Sequence, residues 1–333
     1  TDHDDFFELG GDSMRATRVF IELNRRCGID RPVSLMAEAS TIASLAVAIS
    51  DESTWESLLA VQTDGTRPPL FVVHDGGGNV MYARGLAGPM GADQPIYGVQ
   101  CEGLNGLPRQ QDSMVDLART YVTRIRAVYP RGPYTFYGAS LGGVIAMEMA
   151  RQLLEDGEEV PLVALGDTLA PSAIVIPPSR RERVSRRATE LRASPVPVRV
   201  WHALASAGRV LARRAERLSP ASREVRRIDR ATASALRRGT AIPVEARESY
   251  IMRQYGTLMV GHSPGPPFPD RVLLLRATTP NKLSDRGWGP LLDGSLEVVD
   301  VACGHADLGR EASGPLVGPI LTGALNQQQL ATA

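Results

Sequence analysis

Residues 138–142 read Gly-Ala-Ser-Leu-Gly, a G-x-S-x-G in which Ser140 could act as a nucleophile. The flanks give the motif its meaning. Residues 134–137 (YTFY) are short, aromatic and β-prone, and 142–154 (GGVIAMEMARQLL) have helical spacing through Val144, Met147, Ala150 and Arg151. A serine on a sharp strand-to-helix turn is held in a strained backbone with its hydroxyl exposed. Gly138 and Gly142 would let strand and helix close around it. The N–H of Leu141, at the helix start, could donate to a developing oxyanion. The bland alternative is a Gly-rich turn with a helix-capping serine.

A nucleophilic serine needs a base and a group to orient that base. In the α/β-hydrolase arrangement they follow in the order Ser, Asp/Glu, His. Of the five histidines, His3 and His74 precede Ser140, and His202 falls in an Arg-rich stretch without strands. His262, in GHSPGPPFP, reads as an entrance or turn residue. His305, in CGHADLG after the last expected strand, is the expected base. Asp167 follows the expected strand 162–165 and is the expected orienting acid, accepting the imidazole N–H and stabilising the imidazolium. Asp300 is the runner-up, restricted by lying within a strand, and Asp307 the third choice. An Asx turn is the structural alternative for Asp167. For the second oxyanion donor, the loop FVVHDGGGN (71–79) points to the Gly76 N–H, with Asp75 as the near alternative. The loop fits neither the dinucleotide nor the Walker glycine pattern.

The elements that must position these residues alternate. Strands are expected at 57–62, 69–73, 96–99, 134–137, 160–165, 271–276 and 296–301, with Asp64-Gly65 as a hairpin turn between the first two. Helices are expected near 79–87, over 114–128, after Ser140, and over 315–330. This order implies an α/β fold with a mostly parallel sheet covered on both faces. Residues 172–262 break the alternation. They are rich in Arg and Ala, with helical stretches at 201–218 and 222–236, and read as a helical lid.

Composition narrows the class. The chain has 333 residues and zero net charge, unevenly spread. Residues 1–60 carry eleven acids against five Arg, and residues 179–240 carry seventeen Arg against five acids. The basic stretch could meet an acidic partner or a phosphate, or simply be a solvated helical surface. It lacks the interleaved aromatics and motifs of nucleic-acid binders. Cys27, Cys101 and Cys303 form no paired framework, which suits a reducing cytoplasm. No apolar run approaches a membrane span, and no metal-ligand cluster is visible.

Residues 1–50 form a separate small unit of two or three helices. An acidic aromatic loop leads to Asp12 or Ser13 as a helix cap. Its DDFFELGGDSM resembles the attachment loop of peptidyl carrier domains from nonribosomal peptide synthetases. That resemblance implies 4′-phosphopantetheine on Ser13, where an attached phosphate would meet a helix N-terminus. Such domains have a helix before this loop, so the carrier is expected to be N-terminally truncated here. Residues 51–56 read as a linker.

Residues 57–330 resemble the terminal type I thioesterase of the same synthetases. The resemblance rests on PPLFVVHDGGGN, QPIYGVQCEGL, GPYTFYGASLGGVIAMEMARQL, the Asp167 turn, the lid at about 172–262 and CGHADLG. It implies an α/β-hydrolase that takes an acyl or peptidyl group from a pantetheine thioester onto Ser140 and releases it by hydrolysis or cyclisation. The implied partners are upstream adenylation and condensation domains, a phosphopantetheinyl transferase and the acyl or peptidyl thioester, with no nucleic acid and no membrane. Competing readings are a proofreading thioesterase, an esterase of free esters, and an inactive module that only docks a carrier.

Overall fold

The computed structural model describes residues 1–50, 58–174, 220–278 and 284–332. The expected linker, the stretch 201–218 and His202 lie outside them.

The centre is a seven-stranded sheet of β1 (Leu58–Gln62), β2 (Leu70–Val73), β3 (Ile96–Val99), β4 (Thr135–Ala139), β5 (Leu162–Gly166), β6 (Val272–Ala277) and β7 (Leu296–Val301). Their order is β1-β3-β2-β4-β5-β6-β7. Only β1 runs antiparallel, against β3. Every residue of β2, β4 and β5 is buried, which is why these strands read as continuous apolar runs.

Helices cover the sheet. In the N-terminal segment α1 (Ser13–Cys27), α2 (Leu35–Glu38) and α3 (Ile42–Ser50) pack around Ala16, Phe20 and Met36. The sheet region follows with α4 (Arg84–Met90), α5 (Met114–Val128) and α6 (Leu141–Glu155). After β5 come α7 (Pro220–Arg238) and α8 (Val244–Gly261), and after β7 comes α9 (Gly314–Thr332). Leu86 and Met90 of α4 and Val317 and Leu321 of α9 share one core with Val72, Tyr137, Leu273 and Leu275. On the alternate side chains of the strands, Phe71 stacks with Tyr97 and leans on Phe136 and Tyr134. α6 lies against β2, β4 and β5, with α5 alongside it.

The described residues divide into two units, the smaller holding α7 and the larger holding all other described elements, α1–α3 and α8 included. In the smaller unit, the described helix α7 carries an exposed Arg227–Glu224 pair one turn apart.

Two expectations are corrected. Asp64-Gly65 does not close a hairpin: β1 pairs with β3, and β2 lies on the far side of β3. Pro68 and Pro69 lack the N–H donors a hairpin ladder would use just before β2. The turn is instead tied to Asp93, whose carboxylate accepts from Thr66 N and Oγ1. The helix expected near 79–87 is a 3-10 turn, Met81–Ala83, running into α4. The N-cap of α1 is Asp12, whose Oδ1 accepts from Arg15 N at 2.7 Å.

Candidate functional site

Four chain segments meet at the C-terminal ends of the parallel strands. β4 ends at Ala139, and Ser140 follows with φ 53° and ψ −118° before α6 begins. A left-handed φ costs a serine free energy and is tolerated where surroundings over-determine it. Here Ser140 N donates to Gly166 O at 2.8 Å. A Cβ on Gly138 would lie 2.3 Å from the Gly142 carbonyl carbon, and one on Gly142 would lie 2.5 Å from His74 O. Both motif glycines are therefore required by backbone proximity.

β5 ends at Gly166, and Asp167 follows, also at positive φ (47°). Its N–H donates to Leu275 O at 2.7 Å, so the turn is pinned to β6. The loop after β7 delivers His305 in a short 3-10 turn, and Tyr137 of β4 braces that loop by donating to Leu308 O.

His305 Nδ1 lies 2.8 Å from Asp167 Oδ2, and His305 Nε2 lies 3.1 Å from Ser140 Oγ. The carboxylate accepts, so Nδ1 carries the proton and the lone pair of Nε2 faces the serine hydroxyl. The hydrogen bond to Asp167 raises the His305 pKa above that of a free imidazole, against the opposing effects of burial and of Arg286. Burial pushes the Asp167 carboxyl upward, but hydrogen bonds from His305 and Arg286 and the arginine's charge outweigh it and hold the group below the usual range. This chain of contacts is what a nucleophile, a base and an orienting acid require.

Arg286 escaped the sequence reading. It is 1% exposed. Its Nε donates to Asp167 Oδ1 at 2.8 Å, and Nη2 donates to the same oxygen. Ala277 N also donates there, at 3.1 Å. The arginine's loop is fastened to the Asp167 turn twice, by Trp288 Nε1 to Thr168 O and by Ala170 N to Arg286 O. The nearest signal in the sequence is Arg286-Gly287 beside Trp288, which says nothing of a carboxylate 119 positions away.

The alternative acids lie elsewhere. Asp300 pairs with Arg276 through both carboxylate oxygens, at 2.6 and 2.9 Å, on the exposed side of the last two strands. Asp307 accepts from Gly304 N and Arg310 Nη1. His262 ends α8 with its Nε2 3.6 Å from Glu148 Oε2.

The loop after β2 supplies the Gly76 candidate. Buried His74 supports it. Its Nδ1 lies 2.7 Å from Asp75 O, so Nδ1–H donates, and Nε2 accepts from the Tyr121 hydroxyl at 2.9 Å. Burial drives the His74 pKa down to about 4, which keeps the ring neutral with this proton placement. Asp75 O also accepts from Gly78 N, and Asp75 Oδ1 from Gly77 N. Burial raises the Asp75 carboxyl to about 6. With the Asp75 carbonyl turned to His74, the trans peptide aims the Gly76 N–H the opposite way. Among the described residues neither Gly76 N–H nor Leu141 N–H has a protein acceptor. Gly142 of the elbow touches the carbonyls of Val73 and His74, so the two donors lie on adjoining backbone.

The parallel sheet, the serine elbow and the histidine loop after the last strand define an α/β-hydrolase. The sequence matches the thioesterase domain family over residues 68–235 and the phosphopantetheine attachment site family over 1–49. The chain belongs to the thioesterase domain family and carries a phosphopantetheine attachment domain ahead of it. It is similar to the dimodular nonribosomal peptide synthase of Bacillus subtilis (strain 168), 29% identical over 97% of this chain and 13% of that protein. It is also similar to malpinin synthetase of Mortierella alpina, 31% identical over 98% of this chain and 4% of that protein. The chain thus spans a small fraction of the length of these relatives. Among solved structures it resembles holo-AB3403, a four-domain nonribosomal peptide synthetase bound to AMP and glycine. That match has a TM-score of 0.64 and 22% identity, over 97% of this chain and 24% of the other. The NocB thioesterase domain in covalent complex with a fluorophosphonate nocardicin G analogue matches with TM-score 0.51 and 23% identity, over 80% of this chain and 96% of that one. At these identities the two structures establish the fold.

The attachment loop suits a phosphopantetheine arm. Ser13 opens α1, a helix of 15 residues with no acidic residue in its first turn. The preceding loop is held by Phe6 N to Ser40 O and Gly11 N to Phe6 O, and Gly11 lies too close to Phe6 for any side chain. The helix N-terminus favours an attached phosphate. The side chain of Ser13 lies outside the described residues. Cys27, Cys101 and Cys303 are free thiols. Among the described residues no helix is long and apolar enough to cross a membrane, and no cluster of His, Cys, Asp and Glu is placed to hold a metal.

Proposed function

We propose that this chain is the releasing end of a nonribosomal peptide synthetase, with Ser140 as nucleophile, His305 as base, Asp167 as orienting acid, and the N–H groups of Leu141 and Gly76 as the oxyanion hole. The observation that carries it is the continuous contact from Asp167 through His305 to Ser140, beside two backbone N–H groups without acceptors. Residues 1–50 are read as the carrier, 51–56 as a linker and 57–330 as the hydrolase, with a lid at about 172–262. The Ser13 attachment point rests on the matched family and on its place at the start of α1. The arm attached there supplies an acyl or peptidyl group as a thioester.

In the first half-reaction His305 Nε2 takes the Ser140 hydroxyl proton as Oγ forms a bond to the thioester carbonyl carbon. Leu141 and Gly76 N–H groups stabilise the negative oxygen. The C–S bond then breaks, His305 returns the proton to the leaving sulfur, and the acyl group is an ester on Ser140. In the second, His305 takes a proton from water, or from an amine or hydroxyl of the same acyl chain, as that group attacks the ester. Ser140 leaves with the proton, releasing an acid or a ring. Asp167 stays ionised and stabilises the imidazolium in both halves.

Upstream adenylation and condensation domains would build the chain and a phosphopantetheinyl transferase would load Ser13, in the reducing cytoplasm that free cysteines suit.

Intact-protein mass spectrometry tests this reading. The chain is incubated with a phosphopantetheinyl transferase and an acyl-coenzyme A, in wild type and in Ser140→Ala. A pantetheine-sized gain on Ser13 is expected in both, with the acyl group retained only in Ser140→Ala. Retention in both proteins, with no labelling of Ser140 by a fluorophosphonate, would exclude a releasing enzyme.

A further inference from the structure

Arg247 sits at the end of the first turn of α8, only 4% exposed. Its guanidinium is held by the hydrolase itself. Nε donates to Ile242 O at 2.9 Å and Nη1 to Leu104 O at 3.1 Å. Gly106 makes room for it, since a Cβ there would lie 2.6 Å from Nη2. The third nitrogen, Nη2, faces the N-terminal segment, where it donates to both oxygens of Asp30 at 2.5 and 2.6 Å. Asp30 lies in the loop between α1 and α2 and remains partly exposed.

The neighbourhood ties this pair to the site. A cleft beside it is lined by Thr17, Phe20 and Val33 from the N-terminal segment and by Gly77, Asn79 and Glu248 from the hydrolase. Gly77 belongs to the loop that carries the Gly76 N–H. One turn along α8 from Arg247, Ile251 lies against Gly78: a Cβ on that glycine would meet its side chain at 2.9 Å. The same helix thus holds the N-terminal segment on one turn and the oxyanion loop on the next.

We propose that Arg247 is a preformed socket through which the hydrolase seats its own carrier segment, that Asp30 is the group that fills it, and that acyl delivery to Ser140 depends on this seat. Two of the arginine's three nitrogens are committed to hydrolase carbonyls, so the ring of donors is already oriented when Asp30 arrives. An arginine positioned in this way loses little freedom on pairing. The inference rests on the releasing function proposed above.

The test uses the full chain carrying phosphopantetheine and an acyl group. Single-turnover release of the tethered acyl group is compared with cleavage of a soluble thioester in wild type, Asp30→Asn and Asp30→Arg. Hydrogen exchange is followed in residues 28–34 and 244–250. The expected result is at least a tenfold fall in tethered release for Asp30→Arg, a smaller fall for Asp30→Asn, and soluble cleavage within about twofold of wild type in both. Exchange should quicken in both segments in Asp30→Arg. Tethered release at the wild-type rate in Asp30→Arg would overturn the seat, and so would an equal loss of tethered and soluble cleavage. If wild type itself releases no tethered acyl group, the releasing function fails. The exchange data then judge the seat alone, and unchanged protection in Asp30→Arg overturns it.

Discussion

Asp167 divides its two oxygens between two donors, Oδ2 to His305 and Oδ1 to Arg286. The division has consequences that pH can read. In the proposed mechanism His305 is a base only when neutral, and its pKa is raised above the ordinary 6.5. The acid limb of kcat/KM is therefore expected above pH 6.5, with activity lost as pH falls through that raised value. Arg286 opposes protonation of His305 and favours ionisation of Asp167. Arg286→Met should move the limb to higher pH and lower kcat by about 10- to 100-fold, because Asp167 is left buried without the two hydrogen bonds that Arg286 gives its Oδ1. Asp167→Asn removes the chief cause of the raised His305 pKa, so the limb should move down while kcat falls by roughly 10⁴. Asp300→Asn should change neither, since that carboxylate answers to Arg276. A pH–rate series on the three variants decides the assignment, and a large loss in Asp300→Asn alone would reverse it. The meeting of Ser140, Asp167 and His305 was legible in the sequence because each follows a strand, in the order Ser, Asp, His that the proposed chemistry uses. Arg286 was not, because its role arises from a contact that only the folded loop creates.

Two segments must meet at backbone distance for the proposed oxyanion site, the loop after β2 and the start of α6. Gly142 is their contact, and an added Cβ would strike Val73 O at 2.6 Å and His74 O at 2.5 Å. Both are main-chain atoms, one at the end of β2 and one just after it, and cannot swing aside as a flexible side chain could. Gly142→Ala should destabilise the chain by about 1–3 kcal/mol, as overpacked cores do, read as a lower midpoint in denaturant. An unchanged midpoint would mean that the loop is looser than this contact implies. His74 works at the same level. His74→Asn keeps a side-chain donor near the position of Nδ1, whereas His74→Ala takes that donor from Asp75 O and an acceptor from the Tyr121 hydroxyl. His74→Ala is expected to lower kcat on a soluble thioester by about tenfold or more with little change in KM, and His74→Asn to recover much of that loss. Equal kcat losses in the two variants would show that the ring fills space rather than placing the donor. The sequence reading found every strand of this region, yet misjudged the partner of β1. Strand identity is written in local pattern, whereas pairing depends on β3, which arrives more than thirty residues later.

The N-terminal segment has a small core of its own, Ala16, Phe20 and Met36 with partly buried neighbours such as Phe6 and Val33. So few buried side chains give little independent stability. Its order must draw on the hydrolase, and the structure offers two arginines for that purpose. Arg247 takes Asp30. Arg84, at the start of α4, places its guanidinium 4.2 Å above the Phe7 ring and donates to Ala37 O at 2.5 Å. A cation over an aromatic face contributes about 0.5–1 kcal/mol where exposed and about 2 where desolvated. Arg84 also lies 3.7 Å from Glu311 next to α9, so it links the segment to the hydrolase at a second place. Arg84→Ala with Asp30→Asn should therefore loosen residues 1–50 while the sheet stays intact. Hydrogen exchange should show amides of α1 and α3 losing most of their protection, and those of β4 and β5 keeping theirs. The single variants should each give a partial loss, and the losses should add within about 0.5 kcal/mol if the two contacts act independently. Wild-type protection of α1 in the double variant would mean that the segment holds together through its own core.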